Sequence, residues 1–192
     1  MDIEKEVRYK INEKDLENII QKTQPYIPKN DMLDITFGYN GFKSLQEYGF
    51  ICRVRQKPNK STLEVKKRIG VDWLEQEILL DDISSGINYF KLVGMEPYMF
   101  LKRFREVRKY KNLKIFIDQI EILGNYVEIE YQDSPNGLEE LKDFLNVIKI
   151  TNSTQQELYG DIICKQLQTD PSFNKIYNEA LNKIIKKFID KE

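Results

Sequence analysis

Histidine does not occur anywhere among the 192 residues. That absence removes Ser–His and Cys–His nucleophilic machinery and histidine-ligated zinc together. Any metal would have to be held by oxygen donors, which favours Mg²⁺, Mn²⁺ or Ca²⁺. Cysteine is scarce: Cys52 and Cys164 lie far apart, without ligand-like spacing, on apolar-patterned segments, and read as buried free thiols. Net charge is nearly absent, at −1 from 30 Lys+Arg and 31 Asp+Glu. This balance argues against bulk attraction to nucleic acid or an anionic membrane. No apolar run reaches spanning length and no leader pattern is evident, so the expected location is cytoplasmic. Neither an internal repeat nor a Pro/Gly/Ser linker interrupts the chain.

What is abundant is charge of both signs, 32% of residues, beside 41% hydrophobic residues. Period-two alternation predicts strands over 3–11, 33–39, 49–56, 62–69, 73–80, 99–109, 112–121 and 125–132. Turn chemistry separates several of them: Asn40-Gly41, Lys57-Pro58-Asn59-Lys60, Ile69-Gly70-Val71-Asp72 and Gly124-Asn125. Helices are predicted over about 13–24, 84–93, 135–149, 155–167 and from Pro171 to about Ile189. The last places Phe173, Ile176, Tyr177, Leu181, Ile184, Ile185 and Phe188 on one side, which points to packing on its own domain. Many strands in succession with few helices suggest an α+β chain built on an antiparallel barrel with helices around it.

The strands share a peculiarity. Glu4, Glu6, Arg8 and Lys10 fall on one face of the first, against Ile3, Lys5, Val7, Tyr9 and Ile11 on the other, which apart from Lys5 is fit for packing. Arg53 and Arg55, Glu64 and Lys66, Glu75 and Glu77, Arg103 and Arg105, and Glu128 and Glu130 repeat the pattern. A solvated outer face explains any one of these pairs. Like-signed pairs recurring on several strands are better explained by a polar interior, because like charges so close repel unless an opposite charge lies between them. Carboxylate pairs would then chelate a divalent cation, and arginine and lysine pairs would grip phosphate oxygens. A basic nucleic-acid surface over Lys102–Lys114 is disfavoured, since alternation sends half of its cations inward.

In this order the residues resemble the CYTH superfamily, the triphosphate tunnel metalloenzymes. Glu4-x-Glu6-x-Arg8 is similar to its ExExK signature, Arg53-x-Arg55 to its R-x-R strand, and Leu63-Glu64-Val65-Lys66 to the strand ending in a phosphate-binding lysine. Glu75-x-Glu77 resembles its E-x-E strand, and Arg103-x-Arg105-x-Val107 its K-x-R-x-V segment. The stretch from Asp118 through Leu123-Gly124-Asn125-Tyr126-Val127-Glu128-Ile129-Glu130 resembles "D-x-V-x-x-L-G-x-F-x-E-I-E", and Tyr159-Gly160-Asp161 a late "Y-x-D" element. Three departures stand out: Arg8 and Arg103 occupy lysine positions, and Leu158 replaces a serine.

The resemblance implies an eight-stranded antiparallel closed β-barrel, the triphosphate tunnel, over residues 1–167, with flanking helices and a C-terminal helical extension at 168–192 packed on it. It implies Mg²⁺ or Mn²⁺ held by Glu4, Glu6, Asp118, Glu128 and Glu130. Triphosphate would be held by Arg53, Arg55, Lys66, Arg103 and Arg105, with Arg8, Lys10, Glu75 and Glu77 as catalytic groups beside them. The expected activity is metal-dependent hydrolysis of inorganic or small organic triphosphate. A class IV adenylate cyclase forming cyclic AMP and pyrophosphate is the alternative, and a non-catalytic polyphosphate binder a further one, motivated by Arg8. The expected ligand is inorganic triphosphate, thiamine triphosphate or ATP, with neither nucleic acid nor membrane as partner. Family members are often dimers, which leaves a homodimer open.

Overall fold

The computed structural model describes residues 4–41, 49–69, 72–152 and 154–189, and within these not the side chains of Glu4, Ile69, Asp72, Trp73 and Ile189. Ile3 and the Gly70-Val71 turn therefore lie outside the described residues. Among the described residues eight strands are present: β1 (Glu4–Lys10), β2 (Gln24–Gly38), β3 (Phe50–Lys57), β4 (Lys60–Ile69), β5 (Asp72–Leu80), β6 (Glu96–Tyr110), β7 (Leu113–Ile120) and β8 (Gly124–Gln132). The described helices are α1 (Glu13–Lys22), α2 (Ile83–Leu92), α3 (Pro135–Ile148), α4 (Tyr159–Thr169) and α5 (Pro171–Ile189). Hydrogen bonding links the strands into one sheet in the order β1-β8-β7-β6-β2-β3-β4-β5. Each register described is antiparallel. The chain is α+β. The order ends at β1 and β5, and among the described residues no ladder joins those two.

The residues fall into two compact units. The first comprises Met1–Asp31 and Arg103–Glu157. Here the apolar faces of β1, β7 and β8 (Val7, Tyr9, Leu113, Ile115, Ile117, Val127 and Ile129) pack with Ile19 of α1 and with Leu141, Phe144 and Ile148 of α3. Burying each such side chain contributes roughly 1.5–3 kcal/mol. Asn12 caps α1 and forms a capping box with Asp15. At the other end Arg108 donates to the Ile20 and Thr23 carbonyls and to the Thr23 hydroxyl, satisfying acceptors the helix itself cannot. Ser134 caps α3, and Pro135 sits in its first turn. A Cβ on Gly137 would lie 2.1 Å from the Gln132 carbonyl oxygen, so the helix can leave β8 this closely only with glycine there.

The second unit comprises Met32–Lys102 and Leu158–Glu192. Its core is Ile35, Phe37, Cys52, Val54 and Leu63 from the strands with Ile83, Ile87 and Phe90 of α2; Ile184, Ile185 and Phe188 of α5 pack against it. Both cysteines are free and buried. Gly86 lets α2 approach β3, since a Cβ there would meet the Val54 methyls at 2.9–3.0 Å. The Tyr177 hydroxyl of α5 donates to the Phe100 carbonyl (2.7 Å) and accepts from the Phe100 N–H (2.8 Å), with the two rings stacked at 4.7 Å.

Two sequence expectations need correction. β2 begins at Gln24, not 33; Pro25 and Pro28 mask the exposed first half, whose pattern offers little alternation. The helix expected from Gln155 begins at Tyr159. Gln155 instead bridges to Tyr9, and the Gln156 N–H donates to the Arg8 carbonyl, so this segment lies along β1.

Tyr177→Phe strips Phe100 of both partners and is expected to cost about 1–3 kcal/mol, read as a lower urea midpoint at unchanged slope. Asp15 gives a pH signature. Burial pushes its carboxyl up, but hydrogen bonds from the Thr151 hydroxyl and the Asn12 and Thr151 N–H groups outweigh this and hold it below 3.8. Its stabilisation is therefore complete above 3.8 and is lost as pH falls through the depressed folded value. Asp15→Asn should be less stable than the parent at pH 7, with the gap closing in acid; a gap independent of pH would contradict this.

Candidate functional site

Alternation gives each unit a second sheet face, which buries charges at its centre and exposes others at its edges. In the first unit, register sets Glu6 opposite Glu130 and Arg8 opposite Glu128. Glu130 lies opposite Lys114 and Asp118 opposite Tyr126, and Arg105 opposite Asp118. Arg8, Arg103, Asp118 and Glu128 are all buried, Asp118 completely. Arg105 grips Asp118 with Nε and Nη2, at 2.7 and 2.5 Å. One Glu128 oxygen accepts from Arg8 Nε at 2.8 Å and from its Nη2; the other accepts from Arg105. Arg8 also donates to the Glu157 carbonyl (2.9 Å) and to Glu6 (3.1 Å). The Nε of Arg103 stands 3.8 Å from Asp118. Lys114 pairs with the half-buried Glu130 at 3.3 Å.

The structure thus brings Arg8, Arg105, Asp118 and Glu128 into one network, with Arg103 beside it. Glu6 is exposed at its edge, and so is Lys10, whose ammonium lies 5.8 Å from the Tyr126 ring centre. The Tyr126 hydroxyl, raised by burial against the opposing effect of Arg8, is a group that sequence reasoning did not single out. The Glu4 backbone pairs with Gln132, while its side chain lies outside the described residues.

In the second unit, Asp34 is opposite Arg55, Arg53 opposite Glu64, and Glu64 and Lys66 opposite Glu77 and Glu75. Arg55 grips Asp34 at 2.6 and 2.9 Å and reaches Glu64 at 3.1 Å. Arg53 binds Glu64 through Nε and Nη2, both at 2.5 Å, and lies 3.6 Å from Asp34. The Thr62 hydroxyl donates to Glu64 at 3.0 Å. Further out, Lys66 pairs with Glu75 (2.7 Å) and Lys60 with Glu77 (3.1 Å), both acids being exposed. Burial pushes Glu77 up, yet the Lys60 hydrogen bond and charge, with Lys57 and Arg55, leave it below 4.5. Lys57 lies one step beyond Arg55 on this face, and burial, then Arg55 and Lys60, push its ammonium below 10.5. Asp34, Glu64 and Lys57 were missed as interacting groups. Lys57 was readable by extending Arg53-x-Arg55-x, but the partners of the arginines needed the register.

Buried ion pairs contribute little net stability, because desolvation offsets their attraction. Two sheet faces that each bury paired charges therefore ask for a reason beyond folding. Carboxylates are the hard oxygen donors that Mg²⁺ and Mn²⁺ take. Among the described residues no three acidic side chains gather as a metal cage. Glu6 and Glu130 are nevertheless directly opposed in register, which puts two carboxylates side by side beside their partners Arg8 and Lys114. Mg²⁺ is usually bound by one or two carboxylates plus substrate phosphates and waters. The residues fit a dication shared with a phosphate ligand, not one caged by protein alone. A separate surface cavity of about 530 Å³ in the first unit borders none of the predicted residues; Lys111, Asn112, Glu140 and Asp143 on its wall are paired among themselves.

No family model matches the chain. A protein of Methanocaldococcus jannaschii named "putative adenylate cyclase" is 25% identical over 161 residues, covering 78% of this chain and 91% of its own length. Among solved structures, a conserved hypothetical protein of Pyrococcus furiosus is similar with TM-score 0.68 and 19% identity, over 83% of this chain and 99% of that one. The Hippeastrum protein HpAC1, named in the same way and described as revealing a dominant triphosphatase activity, is similar with TM-score 0.58 and 16% identity, over 79% and 90%. These relatives and neighbours fit the CYTH type that the sequence resembles. Among the described residues no helix is long and apolar enough to cross a membrane.

Glu128→Gln removes charge from an acid shared by the buried Arg8 and the half-buried Arg105 and should destabilise the fold by roughly 3–5 kcal/mol. Glu6→Gln, at the exposed edge, should stay within about 0.5 kcal/mol of the parent. Urea denaturation of both variants checks the contrast, and equal effects would contradict it.

Proposed function

We propose that this chain is a triphosphate-processing enzyme of the CYTH kind, hydrolysing inorganic or small organic triphosphate with Mg²⁺ or Mn²⁺. The observation that carries the reading is the pairing of arginines with buried carboxylates, Asp118 and Glu128 in the first unit and Asp34 and Glu64 in the second, where a solvated sheet would expose them. Closure of the eight strands into a tunnel belongs to this proposal. Phosphoryl transfer needs positioning and charge neutralisation more than a dedicated nucleophile, which suits a chain without histidine. Glu6 and Glu130, with Glu4, would hold the dication, which when bound supplies Lewis-acid polarisation of the phosphates. Arg103 and Arg105 in the first unit, and Arg53, Arg55 and Lys66 in the second, would orient phosphate oxygens. Arginine remains protonated throughout, so Arg8 positions and neutralises and does not transfer a proton.

A class IV adenylate cyclase is the second reading, favoured by the name of the M. jannaschii relative. Both reactions use the same charged groups and differ in the attacking oxygen, water in one case and the ribose 3′-hydroxyl in the other. Purified protein incubated with Mg²⁺ or Mn²⁺ and either inorganic triphosphate or ATP decides between them. Metal-dependent release of phosphate without cyclic AMP is expected. Glu6→Gln and Glu130→Gln should each lower the rate by at least ~10–100-fold, the range seen even for outer partners of metal sites. Cyclic AMP as the main product of ATP would establish the cyclase instead, and tight triphosphate binding without turnover would make the chain a binder.

A further inference from the structure

We infer that Glu64 and Asp34 act as built-in counter-ions that occupy the anion seat of Arg53 and Arg55 and so set how strongly a phosphate ligand is held there. The inference deepens the triphosphate reading and rests on it. Its ground is the geometry of the second unit alone. All three nitrogens of Arg55 are directed at Asp34 or Glu64, at 2.6, 2.9 and 3.1 Å. Arg53 commits Nε and Nη2 to Glu64 and has Asp34 3.6 Å from Nη1. Two guanidiniums thus face two carboxylates, with no excess charge. The fork that binds a carboxylate through paired N–H groups is the fork that binds phosphate. The carboxylate oxygens therefore stand where phosphate oxygens would stand.

Glu64 cannot easily move aside. It is completely buried, and the Thr62 hydroxyl donates to the oxygen that Arg55 also contacts. An anion approaching this face meets arginines already neutralised, and must compete with carboxylates fixed beside them. A highly charged triphosphate competes better than a pyrophosphate or an orthophosphate. The same residues that weaken capture thus favour the triphosphate over its shorter products and speed their release. Glu64 and Asp34 act through Arg53 and Arg55, which makes them positioning residues for the reaction.

Removing one negative charge while keeping the side-chain shape should unmask the arginines. Glu64→Gln and Asp34→Asn are each expected to bind inorganic triphosphate about tenfold more tightly than the parent in calorimetry with Mg²⁺. KM and kcat should fall together as product release slows. Asp143→Asn makes the same charge change in the other unit, beside Tyr110 and Lys111, and should leave the affinity unchanged. A merely structural role predicts lost stability and weaker binding, never tighter. Unchanged or weaker binding by both variants, with circular dichroism showing them folded, overturns the inference while the parent's binding keeps the proposed function standing. Failure of both variants to fold also overturns it, because the pairs are then needed for folding. If neither parent nor variants bind triphosphate, the proposed function falls and this inference with it.

Discussion

The guanidinium–carboxylate pair, buried on a sheet face, is the constraint on which the rest depends. A strand with one greasy and one charged face ordinarily keeps the charged side in water. Here Asp118 and Glu64 are completely buried, and Arg8, Arg103 and Glu128 nearly so. Each charge withdrawn from water must find an opposite charge with good hydrogen-bond geometry, or the fold pays heavily. The structure meets that demand with arginine. One planar group can serve several acceptors at once, as Arg8 does with Glu128, Glu6 and the Glu157 carbonyl. A lysine ammonium has no such fork, which gives the departure at position 8 a physical reading.

The apolar faces follow from the same alternation, one residue out of step. In the first unit they are closed by α1 and α3, and in the second by α2 and α5. The helix ends are tied to the strands by specific polar contacts. Arg108 collects the last carbonyls of α1, and the Tyr177 hydroxyl serves both backbone groups of Phe100. The final helix is thus bonded to its own unit through a buried hydroxyl as well as through packing.

Much of this was legible in the sequence, because period two is a local property. Val7 and Tyr9 against Glu6 and Arg8, or Cys52 and Val54 against Arg53 and Arg55, divide the faces without knowledge of any neighbour. What periodicity cannot supply is the residue opposite. Glu64 was visible as a charged residue on the Lys66 side of β4, but its place between Arg53 and Arg55 depends on the β3–β4 register and on Asp34 arriving from β2. The first half of β2 was illegible for another reason. Pro25 and Pro28 weigh against a strand, and its side chains are mostly exposed, so no alternation marks it. At Gln155 the helical pattern was read too early, because the segment's backbone is engaged by Tyr9 and Arg8 of a strand nearly 150 residues away.

The choice of arginine also bears on chemistry. Arg8, Arg53, Arg55, Arg103 and Arg105 cannot surrender a proton near neutral pH, and no histidine stands in for them. Such faces can hold, orient and neutralise an anion but cannot shuttle protons through these groups. Lys57, with its ammonium weakened by burial and by Arg55 and Lys60, is a cation of a different kind on the same face. That division suits a reaction whose barrier lies in gathering negative charge and aligning it, as in phosphoryl transfer. It suits poorly one that waits on a side-chain base. The chemistry open to these faces is therefore set by the same pairing of arginine with carboxylate that allows them to be buried.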